Sequence, residues 1–389
     1  MRDIIIKRWN YRSFIALINS HIVDYPTPVT LNYNWSYGSS AGICLAIQIL
    51  SGVFLSIHYT PHIDYAFSSV EHIIRDVQCG WFLRYLHANT ASFFFLVVYC
   101  HIFRGIYHGS YAFPRQALWC SGVVLLVLII ATAFIGYVLP WGQISFWGAT
   151  VITSLFSALP YVGKNVVMWL WGGFSVDNAT LNRFYSLHYV IPFVITAFVF
   201  IHLALLHKHG SNTPLGTNVS VVSFYPYFYV KDLLVFFCLL SGLSIFLFFW
   251  PNTLGHADNY IPADPIKTPL HIVPEWYFLP FYAILRSIPN KLGGVLAIGG
   301  ALAALVTLPF LHTSSIRSAS FRPIYRFALW FWVASVFLLA WVGQIPVVQP
   351  YVLIGQIASV VYFCFLLFGV SFIGLLENRL SSDTPIQKN

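Results

Sequence analysis

Charged residues are scarce in this chain of 389 residues. Asp, Glu, Lys and Arg make up 8% of it, against about 25% in an ordinary soluble domain. So few charges cannot cover the surface of a water-soluble globule of this size. Apolar residues make up 58%, and the mean hydropathy is +0.74. The composition excludes a soluble enzyme, a disordered chain and a nucleic-acid-binding domain, and it predicts a polytopic membrane protein.

Sulfur ligands are also scarce. The six cysteines are scattered without any C-x-x-C pair, and only two methionines occur. This pattern gives no support to a zinc site or an iron–sulfur cluster. It also leaves a copper site without the Cys or Met ligands that such a site usually recruits.

Long apolar runs, in contrast, are abundant. Eight stretches are long enough to cross a bilayer core of roughly 30 Å as helices. We number them spans 1 to 8, at residues 36–57, 81–107, 117–138, 185–206, 230–250, 295–311, 327–344 and 352–376. Two shorter stretches, 142–159 and 163–171, are predicted to be surface helices or a cavity cover.

Basic residues predict the orientation of these spans. An even number of spans places both termini on one side, and that side would hold thirteen of the twenty Lys and Arg residues. We therefore expect the termini to face the negative compartment. The two longest polar connections, between spans 3 and 4 and between spans 5 and 6, fall on the opposite side and predict a shared pocket there.

Four histidines lie deep in apolar spans, two in span 2 and two in span 4. His87 and His101 are 14 residues apart, as are His188 and His202. Fourteen residues come within about 40° of whole helical turns and cover roughly 21 Å. Because spans 2 and 4 run in the same direction, we expect His87 to face His188 and His101 to face His202, at two depths.

Two facing imidazoles in a membrane can serve as helix contacts or as a proton relay. Two stacked pairs with matched spacing suit haem better, with one neutral imidazole on each axial side of the iron. Such an iron has no open coordination position and carries electrons. The chain has no C-x-x-C-H attachment motif, so the haems would be bound non-covalently.

Glycines and arginines support the haem interpretation. Glycines repeat the 14-residue spacing on the two remaining spans of the bundle, at Gly38 and Gly52 on span 1 and at Gly122 and Gly136 on span 3. They would let a porphyrin edge approach the backbone, although ordinary packing of small residues is the alternative. Arg84 precedes His87 by three residues and Arg104 follows His101 by three, so each could neutralise haem propionates or anchor the helix at the interface.

Three motifs add a family resemblance: residues 136–143 (GYVLPWGQ), 146–150 (FWGAT) and 274–277 (PEWY). With the four histidines, they make the chain resemble the cytochrome b family of ubiquinol–cytochrome c reductases (respiratory complex III) over essentially its whole length. Eight spans in one chain resemble this family rather than its photosynthetic relatives, in which the protein is split. The resemblance implies an all-α fold, with a four-helix bundle around two stacked haems in residues 1–213 and a four-helix membrane domain carrying the PEWY loop in residues 214–389.

The resemblance also implies a quinol-oxidation site on the side opposite the termini. A carboxylate in the apolar, aromatic setting of Glu275 should have a raised pKa and accept a proton near neutrality. From position alone, Glu275 could instead contact water or Arg286. The matching family positions that line the pocket are Phe134, Tyr137, Gly148 and Tyr282.

A quinone-reduction site is implied on the terminal side. His207 ends span 4, and Lys231 and Asp232 open span 5. Taken singly, these residues would be solvated helix ends, but together they could deliver protons to a reduced quinone. The family positions that flank this site match Ser39 and Ser211. Ser36 is a departure, because relatives often carry Asn there.

The implied partners are a Rieske-type iron–sulfur protein and a cytochrome c1-type subunit in a dimeric, multi-subunit complex, with no nucleic acid. The implied cofactors are two haem b groups, with ubiquinol and ubiquinone as substrates. No targeting signal is apparent, which favours the mitochondrial inner membrane with the termini in the matrix; a bacterial plasma membrane is the alternative.

Two other functions remain open. A proton-coupled transporter could use intramembrane histidines as a relay, but transporters usually have discontinuous helices or inverted repeats, and none is apparent. An anchor subunit could hold haem without a quinone site, but the loop motifs argue against it.

Overall fold

The computed structural model describes residues 15–382 except 17 and 218. Eight of the described helices are long and apolar enough to cross a membrane, which confirms the all-α class and the number of spans. The eight spans, in chain order, are Tyr33–His58, Gly80–Tyr107, Gln116–Val138, Asn178–His209, Tyr227–Phe249, Lys291–Leu311, Pro323–Gln344 and Tyr351–Ser382. Five of the basic residues that predict the orientation lie outside the described residues, namely Arg2, Lys7, Arg8, Arg12 and Lys388.

Span 4 begins seven residues earlier than its apolar stretch predicts. Asp177 caps the helix: its carboxylate accepts from the backbone N–H of Asn178 at 2.8 Å, and its own N–H donates to the side chain of Thr180 at 3.2 Å. Such a reciprocal cap fixes a helix start. The first two turns of the helix are rich in polar residues. Hydropathy therefore detects only the later, apolar part of the helix that would lie in the bilayer core.

The long connections contain helices of their own. Residues Gln143–Ser154, Leu155–Ala158 and Gly163–Trp171 are helical between spans 3 and 4. Two further short helices, Ala66–Arg75 and Leu279–Ser287, were not predicted because they are too short to give a membrane signal. The two long connections also bond to each other, since the N–H of Gln143 donates to the carbonyl of Ile261 and that of Ala263 to the carbonyl of Trp141.

A small sheet ties the N-terminal segment to the connection between spans 4 and 5. Strand β1 (Pro26–Pro28) pairs antiparallel with strand β2 (Val221–Ser223). A π-helical turn, Asn19–Val23, precedes β1, and a 3-10 turn, Tyr33–Ser36, leads into span 1. The N-terminal segment thereby lies beside the end of span 4 and the start of span 5.

Spans 1 and 2 pack closely on each other, as do spans 3 and 4. Span 6 packs against span 3, and spans 7 and 8 pack around the helix Leu279–Ser287. This short helix therefore lies between the C-terminal spans and the segment that carries Glu275.

A buried ion pair fastens the last span. Span 8 consists of the helices Tyr351–Cys364 and Val370–Ser382, joined by a π-helical turn at Phe365–Gly369. Nε of Arg322 lies 2.7 Å from Oε2 of Glu377, and their side chains are 1% and 12% exposed. Oε1 of Glu377 accepts from the N–H of Tyr325 at 3.0 Å. The pair therefore joins the start of span 7 to the end of span 8.

We expect Glu377→Gln to lower the free energy of unfolding by about 3 kcal/mol, because removing one partner leaves a buried guanidinium uncompensated. Glu71→Gln is the matched control: its partner Arg75 is 74% exposed, so the loss should be about 1 kcal/mol or less. Thermal unfolding of the purified protein in detergent measures both. Equal losses for the two variants would contradict the structural role given to the buried pair.

Candidate functional site

The structure brings the four intramembrane histidines together as two pairs. The ring centres of His87 and His188 are 6.1 Å apart, with an angle of 77° between the rings. Those of His101 and His202 are 6.4 Å apart, at 58°. A metal ion between two imidazole nitrogens, about 2 Å from each, sets the ring centres roughly 6 Å apart. Both pairs therefore have the separation that an axially ligated iron requires.

A serine hydroxyl orients one histidine of each pair. The Ser51 hydroxyl donates to the carbonyl of Ile47 at 2.6 Å, so its oxygen accepts from Nδ1–H of His87 at 2.9 Å. On span 3, the Ser121 hydroxyl has the same relation to His202, with Oγ and Nδ1 2.8 Å apart. A proton on Nδ1 leaves Nε2 unprotonated and free to bind a metal ion.

The other two histidines differ from each other. Nδ1 of His188 donates to the carbonyl of Thr132 at 2.9 Å, so this ring also keeps Nε2 free. Nδ1 of His101 instead lies 3.0 Å from Nη2 of Arg104. A guanidinium only donates hydrogen bonds, so this contact suits an unprotonated Nδ1. If His101 binds a metal through Nε2, Arg104 has to turn to another acceptor.

Arg104 lacks an anionic partner among the described residues. Its Nε is buried without a hydrogen bond, and its guanidinium lies 5.1 Å from the ring centre of Trp35. A buried guanidinium without an anion is costly. The side chain is therefore suited to the carboxylate of a bound group.

The four spaced glycines face the histidines directly. A Cβ atom would lie 3.4 Å from Cε1 of the facing imidazole at Gly38, 3.1 Å at Gly52 and 3.2 Å at Gly122. At Gly136 it would collide with the ring of His188. The glycines thus make room for the imidazoles themselves, whereas the sequence suggested that they make room for a porphyrin edge.

A cavity of ≈ 180 Å³ joins the His87/His188 pair to the loop segment, with Arg84, Tyr137 and Glu275 in its wall. An adjoining cavity of ≈ 120 Å³ is also lined by Arg84 and by both histidines. The space beside this histidine pair therefore extends to the Glu275 carboxylate.

Burial raises the pKa of Glu275 to about 7, and Tyr137 and Arg84 oppose part of this shift because both favour the carboxylate form. The Tyr137 hydroxyl is buried beside the Glu275 carboxylate and has no other hydrogen-bond partner among the described residues. Glu275 can therefore exchange a proton near neutrality.

Aromatic contacts with span 2 hold the segment that carries Glu275. The rings of Phe95 and Tyr277 stack with centres 4.0 Å apart and an angle of 2°. The Tyr99 hydroxyl donates to the carbonyl of Tyr277 at 2.5 Å, and Nε1 of Trp276 donates to the Ser92 hydroxyl at 3.1 Å. These bonds fix the position of the carboxylate relative to span 2.

Three residues expected at the quinol pocket lie outside the two cavities. The Tyr282 hydroxyl donates to the carbonyl of Ile272 at 3.4 Å, and Arg286 lies over its ring. Phe134 packs edge-on against Phe184. A Cβ at Gly148 would have no neighbour within 4 Å. The geometry therefore groups only Tyr137 with Glu275.

On the terminal side, His207 lies in a cluster of aromatic rings. Its Nδ1 is 2.6 Å from Nδ1 of His21, and the two rings stack with centres 4.8 Å apart. Tyr25 also stacks on His207, at 4.3 Å. Burial raises the pKa of Tyr25, so this phenol stays neutral.

The other residues expected on this side form two groups. Ser211 lies near His207, where Arg115 donates to the carbonyls of residues 209, 210 and 211. Lys231 donates to the carbonyl of Leu31 and lies over the ring of Tyr33, next to Asp232. The Ser39 hydroxyl donates to the carbonyl of residue 36 at 3.0 Å. Within the described part of the chain, no hydrogen bond or ion pair joins His207 to Asp232.

Sequence reasoning missed the partners of the histidines. Ser51 and Ser121 each directly precede one of the spaced glycines, a repeat that could have identified them. His21, Tyr25 and Arg115 carry no such signal, because only the folded N-terminal segment brings them to His207.

Comparisons with known proteins agree over nearly all of the chain. Residues 22–210 match the family model described as "Cytochrome b/b6/petB", and residues 262–363 match "Cytochrome b(C-terminal)/b6/petD". A cytochrome b of Phytophthora megasperma is 62% identical over 96% of this chain and 98% of its own length. One of Marchantia polymorpha is 63% identical, over 95% and 92% respectively. A solved structure described as "Hyperthermophilic respiratory Complex III" has a TM-score of 0.89 at 33% identity, covering 97% of this chain and 99% of that chain. The chain therefore belongs to the cytochrome b/b6 family.

Proposed function

We propose that this cytochrome b family member oxidises ubiquinol near one membrane surface and reduces quinone near the other, with electrons carried between the two sites by two b haems. The observation that carries the proposal is the pair of two-histidine sites, at ring separations of 6.1 and 6.4 Å. A family member of this kind is a membrane electron-transfer subunit of an oxidoreductase complex. The proton-relay alternative gives no reason for both pairs to have ring separations that match an axially ligated metal ion.

The residues around each pair suit haem. His87 and His188 would hold one haem, and His101 and His202 the other, each through Nε2. Haem supplies a one-electron carrier at each depth of the bilayer. Arg104 would turn its guanidinium from His101 to a propionate, and we assign Arg84 the same role at the other site. Both arginines lack an ion pair among the described residues, which makes a carboxylate a favourable neighbour.

Glu275 is the proposed proton acceptor for quinol oxidation. A quinol hydroxyl at the end of the ≈ 180 Å³ cavity that Glu275 lines would lose its proton to the Glu275 carboxylate, which is ionised above a pKa of about 7. The neighbouring Tyr137 hydroxyl, which has no other partner among the described residues, can hydrogen-bond to quinol or to Glu275. We assign Phe134, Gly148 and Tyr282 to the outer wall of this site on family resemblance.

On the terminal side, His207 and Asp232 are the proposed proton donors to reduced quinone. Lys231 lies beside Asp232 and offers a positive charge near the quinone anion. We assign Ser39 and Ser211 to the wall of this quinone site on family resemblance. His207 and Asp232 need not touch each other, since a quinone has two carbonyl oxygens to protonate.

We assign the haem bundle to residues 1–213 and the PEWY loop domain to residues 214–389. Likeness to a solved respiratory complex III supports assembly in a multi-subunit membrane complex. We propose a dimer with a Rieske-type iron–sulfur protein and a cytochrome c1-type subunit as partners. The proposed location is the mitochondrial inner membrane, with both termini in the matrix.

Two low-spin haems per chain are expected in a reduced-minus-oxidised visible spectrum of the purified complex. Gly136→Ala should abolish only the haem of His87 and His188, because its Cβ would displace the His188 ring. Gly42→Ala is the control, since a Cβ there meets nothing within 4 Å. One haem in the unmodified protein, or two in Gly136→Ala, would contradict the assignment.

Ser51→Ala and Ser121→Ala should each change the reduction potential of one haem. Without the hydroxyl that accepts from Nδ1–H, the imidazole donates less electron density to the iron. This favours the reduced iron and raises the reduction potential. A hydrogen bond of about 1 kcal/mol corresponds to a rise of up to roughly 40 mV for one electron. Redox titration should show Ser51→Ala acting on the His87/His188 haem alone and Ser121→Ala on the other alone. Equal effects on both haems would argue against the pairing.

Glu275→Gln should slow quinol oxidation about tenfold or more, with both haems retained, because it removes a proton acceptor and no ligand. The unmodified rate should rise as the pH rises through about 7, where Glu275 becomes ionised, and this rise should disappear in the variant. The exposed carboxylate of Asp76 provides a control as Asp76→Asn. Unchanged turnover and pH dependence in Glu275→Gln would exclude the role.

A further inference from the structure

A second imidazole reaches the proposed quinone-reduction site from the N-terminal segment. His21 is exposed, His207 is only partly exposed, and their Nδ1 atoms are 2.6 Å apart. The π-helical turn Asn19–Val23 carries His21, and strand β1, which follows it, is held by pairing with β2. The contact therefore connects solvent to the interior end of this site through two aromatic nitrogens.

Only one proton can lie between the two Nδ1 atoms, so one imidazole donates and the other accepts. If His21 donates, Nδ1 of His207 is the acceptor and Nε2 of His207 carries a proton. Nε2 of His21 is then unprotonated and can accept a proton from water. In this arrangement each ring has the tautomer that inward transfer requires.

We propose that His21 is the outer member of a two-imidazole proton relay that supplies His207, a role that rests on the proposed function. As reduced quinone takes the proton from Nε2 of His207, the N–H bond at Nδ1 of His21 breaks and one forms at Nδ1 of His207. A water proton then binds Nε2 of His21. Both rings end neutral, one proton has moved inward, and no electron moves within the relay. Each ring then loses a proton to water from one nitrogen and gains one from water at the other, which restores the starting tautomers with no net proton movement.

Among the described residues around His21 and His207, no other side chain is placed to take part in this proton transfer. Tyr25 stacks on His207 and stays neutral. The guanidinium of Arg115 is engaged by three backbone carbonyls. Asp24 and Lys208, the nearest charged neighbours in the chain, are exposed to solvent. No carboxylate pairs with either ring among the described residues.

The test uses the holo complex in membranes and follows reoxidation of the His101/His202 haem by added quinone. His21→Gln keeps an amide that can donate to His207 but cannot pass a proton on. We expect reoxidation to slow about tenfold, because general acid–base groups contribute roughly 10²–10⁴ and water can substitute in part. Haem spectra should not change, and neither should the single-turnover rate at which added quinol first reduces the haems. His209→Gln is the control, since it removes an exposed imidazole whose contact with Arg115 is through the backbone.

A second variant separates a relay from a structural role. His21→Ala should be slow, and added imidazole should restore most of the rate by replacing the missing ring. An unchanged rate in His21→Gln, or a slow His21→Ala that imidazole does not restore, would overturn the relay. If quinone fails to reoxidise the haem in the unmodified complex, the quinone-reduction site itself is wrong, whatever His21 does.

Discussion

An imidazole can approach a neighbouring helix closely only where that helix presents no side chain, and this constraint shapes the first four spans. Glycines of span 1 face the histidines of span 2, and glycines of span 3 face those of span 4. Each helix pair can therefore close tightly, and its imidazoles point across to the other pair. The bundle consists of two tightly packed helix pairs that meet through facing rings at two depths.

The four intramembrane histidines have different surroundings in this bundle. A serine hydroxyl accepts from His87 and another from His202, while a backbone carbonyl accepts from His188. His101 instead contacts the guanidinium of Arg104. An acceptor at Nδ1 makes an imidazole a stronger electron-pair donor to a metal, and His101 has no such acceptor among the described residues. The two proposed haem sites can thus differ in their affinity for an electron.

Features that are determined by the sequence of a single helix could be predicted. Hydropathy located the spans, and the 14-residue spacing identified the histidines and the glycines. The start of span 4 was misplaced because a polar cap at Asp177 extends the helix beyond the lipid-matched part. The contact between His21 and His207 joins positions 186 residues apart and depends on how the N-terminal segment folds back. The placement of Phe134 and Tyr282 outside the cavities likewise depends on tertiary packing, which spacing along a helix does not determine.

The π-helical turn at Phe365–Gly369 has a consequence for the far end of span 8. A π turn accommodates about one residue more than an α turn, so every later side chain is rotated by about 100° around the helix axis. Glu377 lies beyond this turn, and its direction toward Arg322 depends on that rotation. The extra residue thus changes the rotational position of the second half of span 8 relative to the first half. The side chains of Tyr351–Cys364 can therefore keep their packing contacts, while the helix Val370–Ser382 directs Glu377 toward the buried guanidinium of Arg322.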